Sequence, residues 1–432
     1  MTGAKDNRFR TGDPQLQWLF VDLNSYFASV EQELRPELRD RPLAVVPVLA
    51  DTTCCIAASY EAKRYGVRTG TQVGEAKQMC PGILLVEARH ELYVEYHHRV
   101  VEAVESCLPV TSVMSIDEMA CRLLGRERPL LAALELAREV KAAVRRKAGS
   151  TLRCSIGLAT NRYLSKVASD MEKPDGLVAL TPDVLRDALM ALTPRDLPGI
   201  GARMEKRLEQ QGILTMEKLL ALDREQLHTV WGGIGGEKLW HWLRGEDFGN
   251  AELEHQKSIG HSHVLPPDLR TPEGAYAVAN KLLHKAAIRL RRARLWASNM
   301  TLSIRCSAGA GQQPASFARQ RPWAQSCALL ECQDNQTLVE GLQRLWAQSP
   351  PAREQRKPYF VGVTLGDLIP DHLHTLSLFS GLEEEGKRTR LSTTMDRVND
   401  KYGTNTLCFA SMLLAGAAAP TRIAFSSIPE LF

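Results

Sequence analysis

The 432-residue sequence predicts an α+β fold divided among several compact units. Three observations carry this. Up to about residue 180, short apolar runs rich in strand formers mix with amphipathic stretches without strict alternation, which favours an α+β layer over a doubly wound sheet. From Thr181 to Asp247 the pattern is helical and is punctuated by two glycine-rich turns, LPGIG at 197–201 and GGIGG at 232–236. A mixed pattern returns at Lys257, after a stretch at 249–256 that reads as a linker. Apolar residues make up 44% and charged residues 24%, the balance of an ordinary globular chain, which excludes a disordered, collagen-like or disulfide-stapled class.

Each element has a local reason. Residues 16–23 (LQWLFVDL) are short, apolar and rich in strand formers, so they read as a buried strand. Asn24 and Ser25 then supply a turn and an N-cap for a helix over 26–38. A second strand is expected at 43–48, where Pro47 suggests an edge or an end. A third is expected at 54–59, followed by a short helix over 60–65 that Gly66 closes. Strands follow at 84–86, 110–116, 119–123 and 152–158, with helices at 92–108, 130–148 and 162–171. In the last unit the pattern is a strand at 258–265, a helix at 272–294, a strand at 296–306, a helix at 335–347 and a strand at 359–365. Beyond Pro370 the composition loosens, with a short structured patch expected within 390–410.

The formal charge of +4 is too small to mark a nucleic-acid binder by itself; only its distribution can do that. Ten cysteines are scattered without a C-x-x-C pair, so they read as reduced, mostly buried thiols of a cytoplasmic protein rather than as a zinc ribbon or disulfide framework. The polar N-terminus lacks a signal-peptide core, and no uncharged apolar run reaches the roughly 18–20 residues that span a bilayer.

Two places carry carboxylates at costly positions. Asp22 ends an apolar strand, and Asp117-Glu118 interrupts a second apolar region. A carboxylate there must be satisfied by something cationic. If the two strands are neighbours, all three can converge and offer the oxygen shell that a hard divalent cation prefers. The alternative is structural: Asp22 caps the helix, and Asp117-Glu118 forms a hairpin turn. Tyr60, Lys63 and Arg64 lie at i, i+3 and i+4, so they share a helix face that suits a polyphosphate or a solvated charged surface. Gly199 and Gly201 precede a helix and allow backbone amides to approach a phosphate, as in a helix-hairpin-helix. Between 281 and 305 stand seven basic residues and no acidic one, namely Lys281, Lys285, Arg289, Arg291, Arg292, Arg294 and Arg305; the pattern reads as a helix with a phosphate-facing surface. The two His-x-His pairs, His261/His263 and His372/His374, lack further ligands nearby and read as strand or surface histidines rather than metal ligands.

VDLNSYFASVE (21–31), CCIAASYEAKRYGVRTG (54–70), SIDEM (115–119) and SIGLATNRYLSKVASDMEKPDGL (155–177) occur in an order and spacing that resemble the Y-family DNA polymerases, the lesion-bypass enzymes. The resemblance runs from about residue 16 to 369. It implies a right-hand polymerase: palm at 1–33 and 88–180, small fingers at 34–87, a helical thumb with a helix-hairpin-helix at 181–248, a linker at 249–256, a little finger at 257–370 and a tail at 371–432. By resemblance, Asp22, Asp117, Glu118 and the Leu23 carbonyl are similar to the ligands of two Mg²⁺ ions. Tyr26, Phe27, Tyr60, Lys63 and Lys173 are similar to nucleotide contacts, and Phe27 is similar to the ring that blocks a ribose 2′-hydroxyl. Arg162 and Lys166 read as structural or DNA-facing. The basic helix, with Lys281, Lys285, Arg289, Arg291, Arg292 and Arg294, falls in the DNA-gripping little finger. Leu376, Leu378 and Phe379 resemble a sliding-clamp peptide. Two positions depart from the family pattern: Asn24 stands where an aspartate is common, and Lys63 where arginine is usual. The implied activity is low-fidelity, template-directed addition of deoxynucleotides to a primer by a monomer that uses primer-template DNA and deoxynucleoside triphosphates and no membrane. The alternative is a non-catalytic DNA-binding subunit of a bypass complex on the same fold.

Overall fold

The computed structural model describes residues 15–51, 53–248, 257–307, 322–354, 356–375, 382–403, 405–416 and 418–419. The chain forms two compact units, the first reaching Phe248 and the second running from Lys257 to Ala419. Leu376, Leu378 and Phe379 and the linker at 249–256 lie outside the described residues.

The first unit is built on β1 (Trp18–Leu23), followed by α1 (Tyr26–Leu34). A small sheet follows from β2 (Leu43–Val46), β3 (Ala57–Ala58), α2 (Tyr60–Arg64), α3 (Val73–Met79) and β4 (Leu84–Glu87). The chain then adds α4 (His90–Glu105), β5 (Ser112–Val113), β6 (Glu118–Arg122), α5 (Leu130–Lys147), β7 (Cys154–Ala159), α6 (Arg162–Met171) and β8 (Leu177–Leu180). The main sheet has the order β5-β6-β1-β7-β8, with β1 antiparallel to both neighbours. All six residues of β1 are buried, because helices cover both faces.

The period-2 alternation of a strand divides β1 between these faces. Leu19, Val21 and Leu23 enter one core with Tyr93 and Val100 of α4 and Ala137 and Val140 of α5. Trp18, Phe20 and Asp22 face the opposite way, toward α6. Helix α6 packs close because Gly157 lies beneath it; a Cβ built there would meet the Ser165 carbonyl at 1.9 Å.

The segment from β2 to β4 holds its own small core around Ala44, Val46, Ala62, Val73 and Ala76. Strand β2 is central between β3 and β4, and Pro47 lies just past its end. Five short helices follow: α7 (Leu185–Met190), α8 (Ala202–Gln210), α9 (Met216–Ala221), α10 (Arg224–Trp231) and α11 (Ile234–Trp242). Their core continues into α6. The end of this helical segment is pinned to β1 and to the turn between β7 and α6. Thr160 donates to the Gly245 carbonyl, Asn161 to those of Trp242 and Glu246, and Trp18 Nε1 to Asp247.

The second unit contains β9 (Ser258–Val264), α12 (Pro272–Arg292), β10 (Leu295–Cys306), β11 (Trp323–Cys332), α13 (Asn335–Trp346), α14 (Pro350–Glu354), β12 (Pro358–Pro370) and α15 (Leu382–Tyr402). Its sheet is antiparallel with the order β11-β10-β12-β9. Met300, Leu302, Val361, Val363 and Leu365 point into a core with Leu282, Leu283 and Ala286 of α12 and Leu338 and Leu342 of α13.

The structure corrects several expectations. Helix α1 stops at Leu34, where Pro36 cannot continue the ladder, and 36–38 form a separate 3-10 turn. Ser25 precedes α1 in a left-handed conformation, and its side chain makes no cap bond. The strand expected at 110–116 shrinks to Ser112–Val113, because 115–117 turn sharply. Helix α3 and strands β8 and β11 went unread. Strand β11 is an edge strand with half of its residues exposed, so its apolar run is weak. The described part of the chain beyond Pro370 is ordered against the second unit. Helix α15 packs on α13, and a 3-10 turn at Ala410–Ala415 packs on α12, with Ala415 and Ala419 in the core.

Candidate active site

The main sheet brings the three predicted carboxylates to one end of β1 and β6. Asp22 stands directly opposite Glu118 in the ladder, so both project to the same face. Asp117 sits one residue earlier, in the turn that joins β5 to β6, and the Leu23 amide donates to its carbonyl at 2.9 Å. The structural alternative holds only for Asp117, which lies in the hairpin turn; Glu118 already belongs to β6, and Asp22 meets Lys166 and Lys173 instead of capping α1.

Two ammonium groups lie against these acids. Lys166 Nζ contacts Asp22, reaches Glu118 Oε1 at 2.8 Å and Asp170 at 3.1 Å. Lys173 Nζ reaches Asp22 and Asp170, each at 2.8 Å. Burial alone would lower the pKa of Lys166, but Asp22, Asp170 and Glu118 outweigh it and raise it well above the usual lysine value. The same balance raises Lys173, chiefly through Asp22. Burial raises the pKa of Asp117, Asp22 and Glu118 raise it further, and the Ser115 hydroxyl, donating at 2.6 Å, opposes the shift. Carboxylates largely removed from water that repel one another in this way favour an added cation.

Lys166 was not singled out as a site residue in the sequence. Its signal was available: Lys166 and Asp170 lie at i and i+4 on the face of α6 that meets the Asp22 side of β1, and Lys173 follows two residues past the end of that helix. Among the described residues no three acidic, histidine or cysteine groups are gathered tightly enough to hold a metal ion as they stand. The donor chemistry nevertheless fits a hard cation. Asp22 and Glu118 already share one positive charge, and Asp117 lies within electrostatic reach of both.

Tyr60 and Lys63 share a face of α2, and the Lys63 ammonium lies 4.4 Å from the Tyr60 ring centroid. Burial and Lys173 lower the Lys63 pKa, while Asp22 opposes them, so these groups sense one another electrostatically. Arg64 on the same helix is exposed. Asn24 turns away from the acids. Its Oδ1 accepts the Asp175 amide at 2.7 Å, and its Nδ2 donates to Ser155. The residue that departs from the family pattern thus fastens the loop carrying Lys173. Tyr26 is core, and its hydroxyl donates to the Tyr93 carbonyl, whereas Phe27 is half-buried. The first-turn amides of Tyr26 and Phe27 lack intrahelical acceptors by helix geometry.

Gly199 has a positive φ of 88°, and Gly201 caps α8. A Cβ built at either glycine would meet nothing within 4 Å, so both backbones are open to approach.

The basic helix differs from expectation, and the difference is a correction. Lys281 is 7% exposed, and its ammonium donates to the Gly416 carbonyl at 2.7 Å. Lys285 donates to the Ala419 carbonyl. Arg291 makes a two-pronged pair with Asp396 at 2.6 and 2.8 Å, and Arg292 pairs with Asp400 at 2.8 Å. Arg289 approaches His261 Nε2 at 3.5 Å. Only Arg292 and Arg294, at the helix end, are exposed among these six. The chain's own tail covers the face that looked free. On the opposite face of the same sheet stand small polar residues, including Ser262, Asn299, Thr301, Ser303 and Thr364, together with Arg305. Three of the four histidines, His261, His263 and His374, contact other protein groups, and His372 is exposed in a short 3-10 turn. His263 accepts the Ala419 amide, and His374 stacks on Trp296 and contacts Glu331 at 2.6 Å.

Comparison with known proteins converges on one family. The impB/mucB/samB family model matches residues 21–170, and the model of that family's C-terminal domain matches 256–378. A model described as the thumb domain of DNA polymerase iota matches 195–247. A DNA polymerase IV of Moorella thermoacetica is 32% identical over 89% of this chain and 93% of its own length. A DNA polymerase IV 2 of Bacillus subtilis is 27% identical over 94% of this chain and 96% of its own. Among solved structures, a Y-family DNA polymerase chimera superposes with a TM-score of 0.68, covering 82% of this chain and 99% of the other at 23% identity. DinB from Sulfolobus solfataricus gives 0.54 with the same coverage and identity. A palm-like sheet with an acidic end, a glycine-hinged helical segment and a four-stranded second unit are thus the parts of one known architecture, and the chain belongs to the impB/mucB/samB family of Y-family translesion DNA polymerases.

Proposed function

We propose that this chain extends a primer 3′ end on a DNA template with deoxynucleotides, at low fidelity, and copies past damaged template bases. The observation that supports it most is the in-register pairing of Asp22 with Glu118 around a shared positive charge, with Asp117 beside them. In this reading Asp22, Asp117, Glu118 and the Leu23 carbonyl hold two Mg²⁺ ions, and Lys166 withdraws toward Asp170. Such ions, when bound, ease loss of the primer hydroxyl proton and offset charge on the departing pyrophosphate.

The chain's other groups position the substrate. Lys173, Lys63 and the Tyr60 hydroxyl grip the triphosphate, and the free amides of Tyr26 and Phe27 meet its oxygens. Asn24 holds the Lys173 loop in place through the Asp175 amide. The Phe27 ring excludes a 2′-hydroxyl. The Gly199 and Gly201 amides take backbone phosphates without reading sequence. With α12 covered by the tail, the duplex is assigned to the open face of the second unit's sheet, where small side chains and Arg305 admit a phosphate backbone. Leu376, Leu378 and Phe379 are assigned to a clamp, on their sequence alone.

The test is primer extension by the purified chain on an undamaged template and on one with an abasic site. Extension of both, abolished by Asp117→Ala while DNA binding persists, is expected. An Asp117→Ala enzyme with near-normal extension removes the acidic site from the reaction. A wild-type enzyme that stops at the abasic site removes the bypass claim alone.

A further inference from the structure

Phe27 and Glu31 lie one helical turn apart on α1, so their side chains share a face. Between them stands Tyr93, in the first turn of α4 and fully buried. The rings of Phe27 and Tyr93 stack with centroids 4.6 Å apart and planes at 23°. The Tyr93 hydroxyl donates to Glu31 Oε1 at 2.7 Å, and the Tyr93 carbonyl accepts the Tyr26 hydroxyl at 2.6 Å. Glu31 is itself buried and anchored: Arg89 Nε donates to it at 3.0 Å and Arg35 at 2.5 Å. Burial would raise the Glu31 pKa, but bonds from Arg89, Tyr93 and Arg35 outweigh it and keep the carboxylate charged.

A ring that selects against a hydroxyl must not retreat. Phe27 has no polar atom to tie it down, and a half-exposed phenyl ring samples alternative rotamers. A second ring at van der Waals distance, fixed at its far end by a buried carboxylate, removes that freedom. We propose that Tyr93 is the positioning residue for sugar selection, bracing the Phe27 ring from behind, with Glu31 and its two arginines as the anchor. This rests on the assignment of Phe27 as the sugar-excluding ring. Tyr93 itself touches no substrate in this scheme.

The test measures kcat/KM for dCTP and CTP opposite a template guanine with the full-length chain. Phe27→Ala, Tyr93→Phe, Tyr93→Leu and the double variant Phe27→Ala/Tyr93→Leu are compared. Tyr93→Leu is expected to lower the dCTP:CTP ratio by roughly five- to tenfold, the size that one aromatic pair carries. Tyr93→Phe keeps the ring and retains most of the ratio. The double variant matches Phe27→Ala, because a brace has no effect once its ring is gone. A purely structural role for Tyr93 slows both nucleotides alike, leaves the ratio unchanged and overturns the brace while Phe27→Ala still lowers the ratio. An unchanged ratio in Phe27→Ala defeats the sugar-excluding ring and the brace together. Should Tyr93→Leu fail to fold, Tyr93→Met and Glu31→Gln carry the same measurement, and an unaltered ratio in both overturns the brace.

Discussion

The acidic end of the main sheet and the basic helix of the second unit both concentrate charge, and they are built in opposite ways. In the first, Lys166 and Lys173 meet three carboxylates, Asp22, Glu118 and Asp170, in a half-open setting, and the side chains of Glu118 and Asp170 stay 28% and 32% exposed. In the second, the charge is consumed internally: Lys281 and Lys285 end on tail carbonyls, and Arg291 is 6% exposed against Asp396. Density of charge along a sequence therefore does not reveal a binding surface. What matters is whether the partners come from the same chain and leave no face for another molecule.

The comparison can be broken at several points. The largest effect is expected from Lys173→Ala. Loss of a charge-assisted contact to a triphosphate lowers kcat/KM for the incoming nucleotide by about tenfold to a hundredfold, mainly through KM. Steady-state single-nucleotide insertion reads this, and an unchanged KM would take Lys173 out of the substrate site. Next comes Asp396→Asn. It leaves the Arg291 guanidinium buried without its counter-charge, and such losses cost about 3 kcal/mol. Urea unfolding of the second unit should register the loss; stability within experimental error of wild type would mean the pair is not a structural fastener.

A smaller effect comes from pH. His261 is held down to about 4 by burial and by Arg289 and Lys285. His284, packed against Phe409, is held down to about 4 by burial and by Arg291, with Asp396 opposing. Both folded pKa values lie below the unfolded value, so the unfolded chain binds more protons as the medium acidifies. Stability is fully present above about pH 6.5 and falls as pH drops toward 4, by up to about 1.4 kcal/mol per histidine per pH unit. Thermal melts between pH 7 and 5 check the direction, and replacing His284 with Phe should flatten the slope. The smallest effect is expected from Lys281→Met. A phosphate contact contributes about one unit to the salt dependence of DNA binding. Lys281 faces the tail, so the slope should not change; a drop of one unit would return α12 to the DNA.

The acidic site was largely legible in the sequence, because its signals are local. A carboxylate at the end of an apolar strand and a pair interrupting another are visible by inspection, and the antiparallel register that joins Asp22 to Glu118 follows if those strands pair. Lys166 was harder to see, since its importance depends on which face of α6 meets β1. Asn24 was visible as a departure, yet its contact with the Lys173 loop spans 151 positions.

The residues by themselves determined the positions of most strands, the carboxylate spacing, the glycine hinge at 199–201 and the α+β composition, because each depends on a period of two or 3.6 and on backbone freedom at one position. Only the tertiary structure decided which cations are spoken for. Lys281 meets Gly416 across 135 positions, and Arg291 meets Asp396 across 105. A segment of low apolar periodicity became the cover of a helix because the sheet and α12 left a shaped, charged face that it could satisfy. Complementarity of that kind belongs to surfaces that exist only once both partners have folded, so no local pattern in either segment announces it.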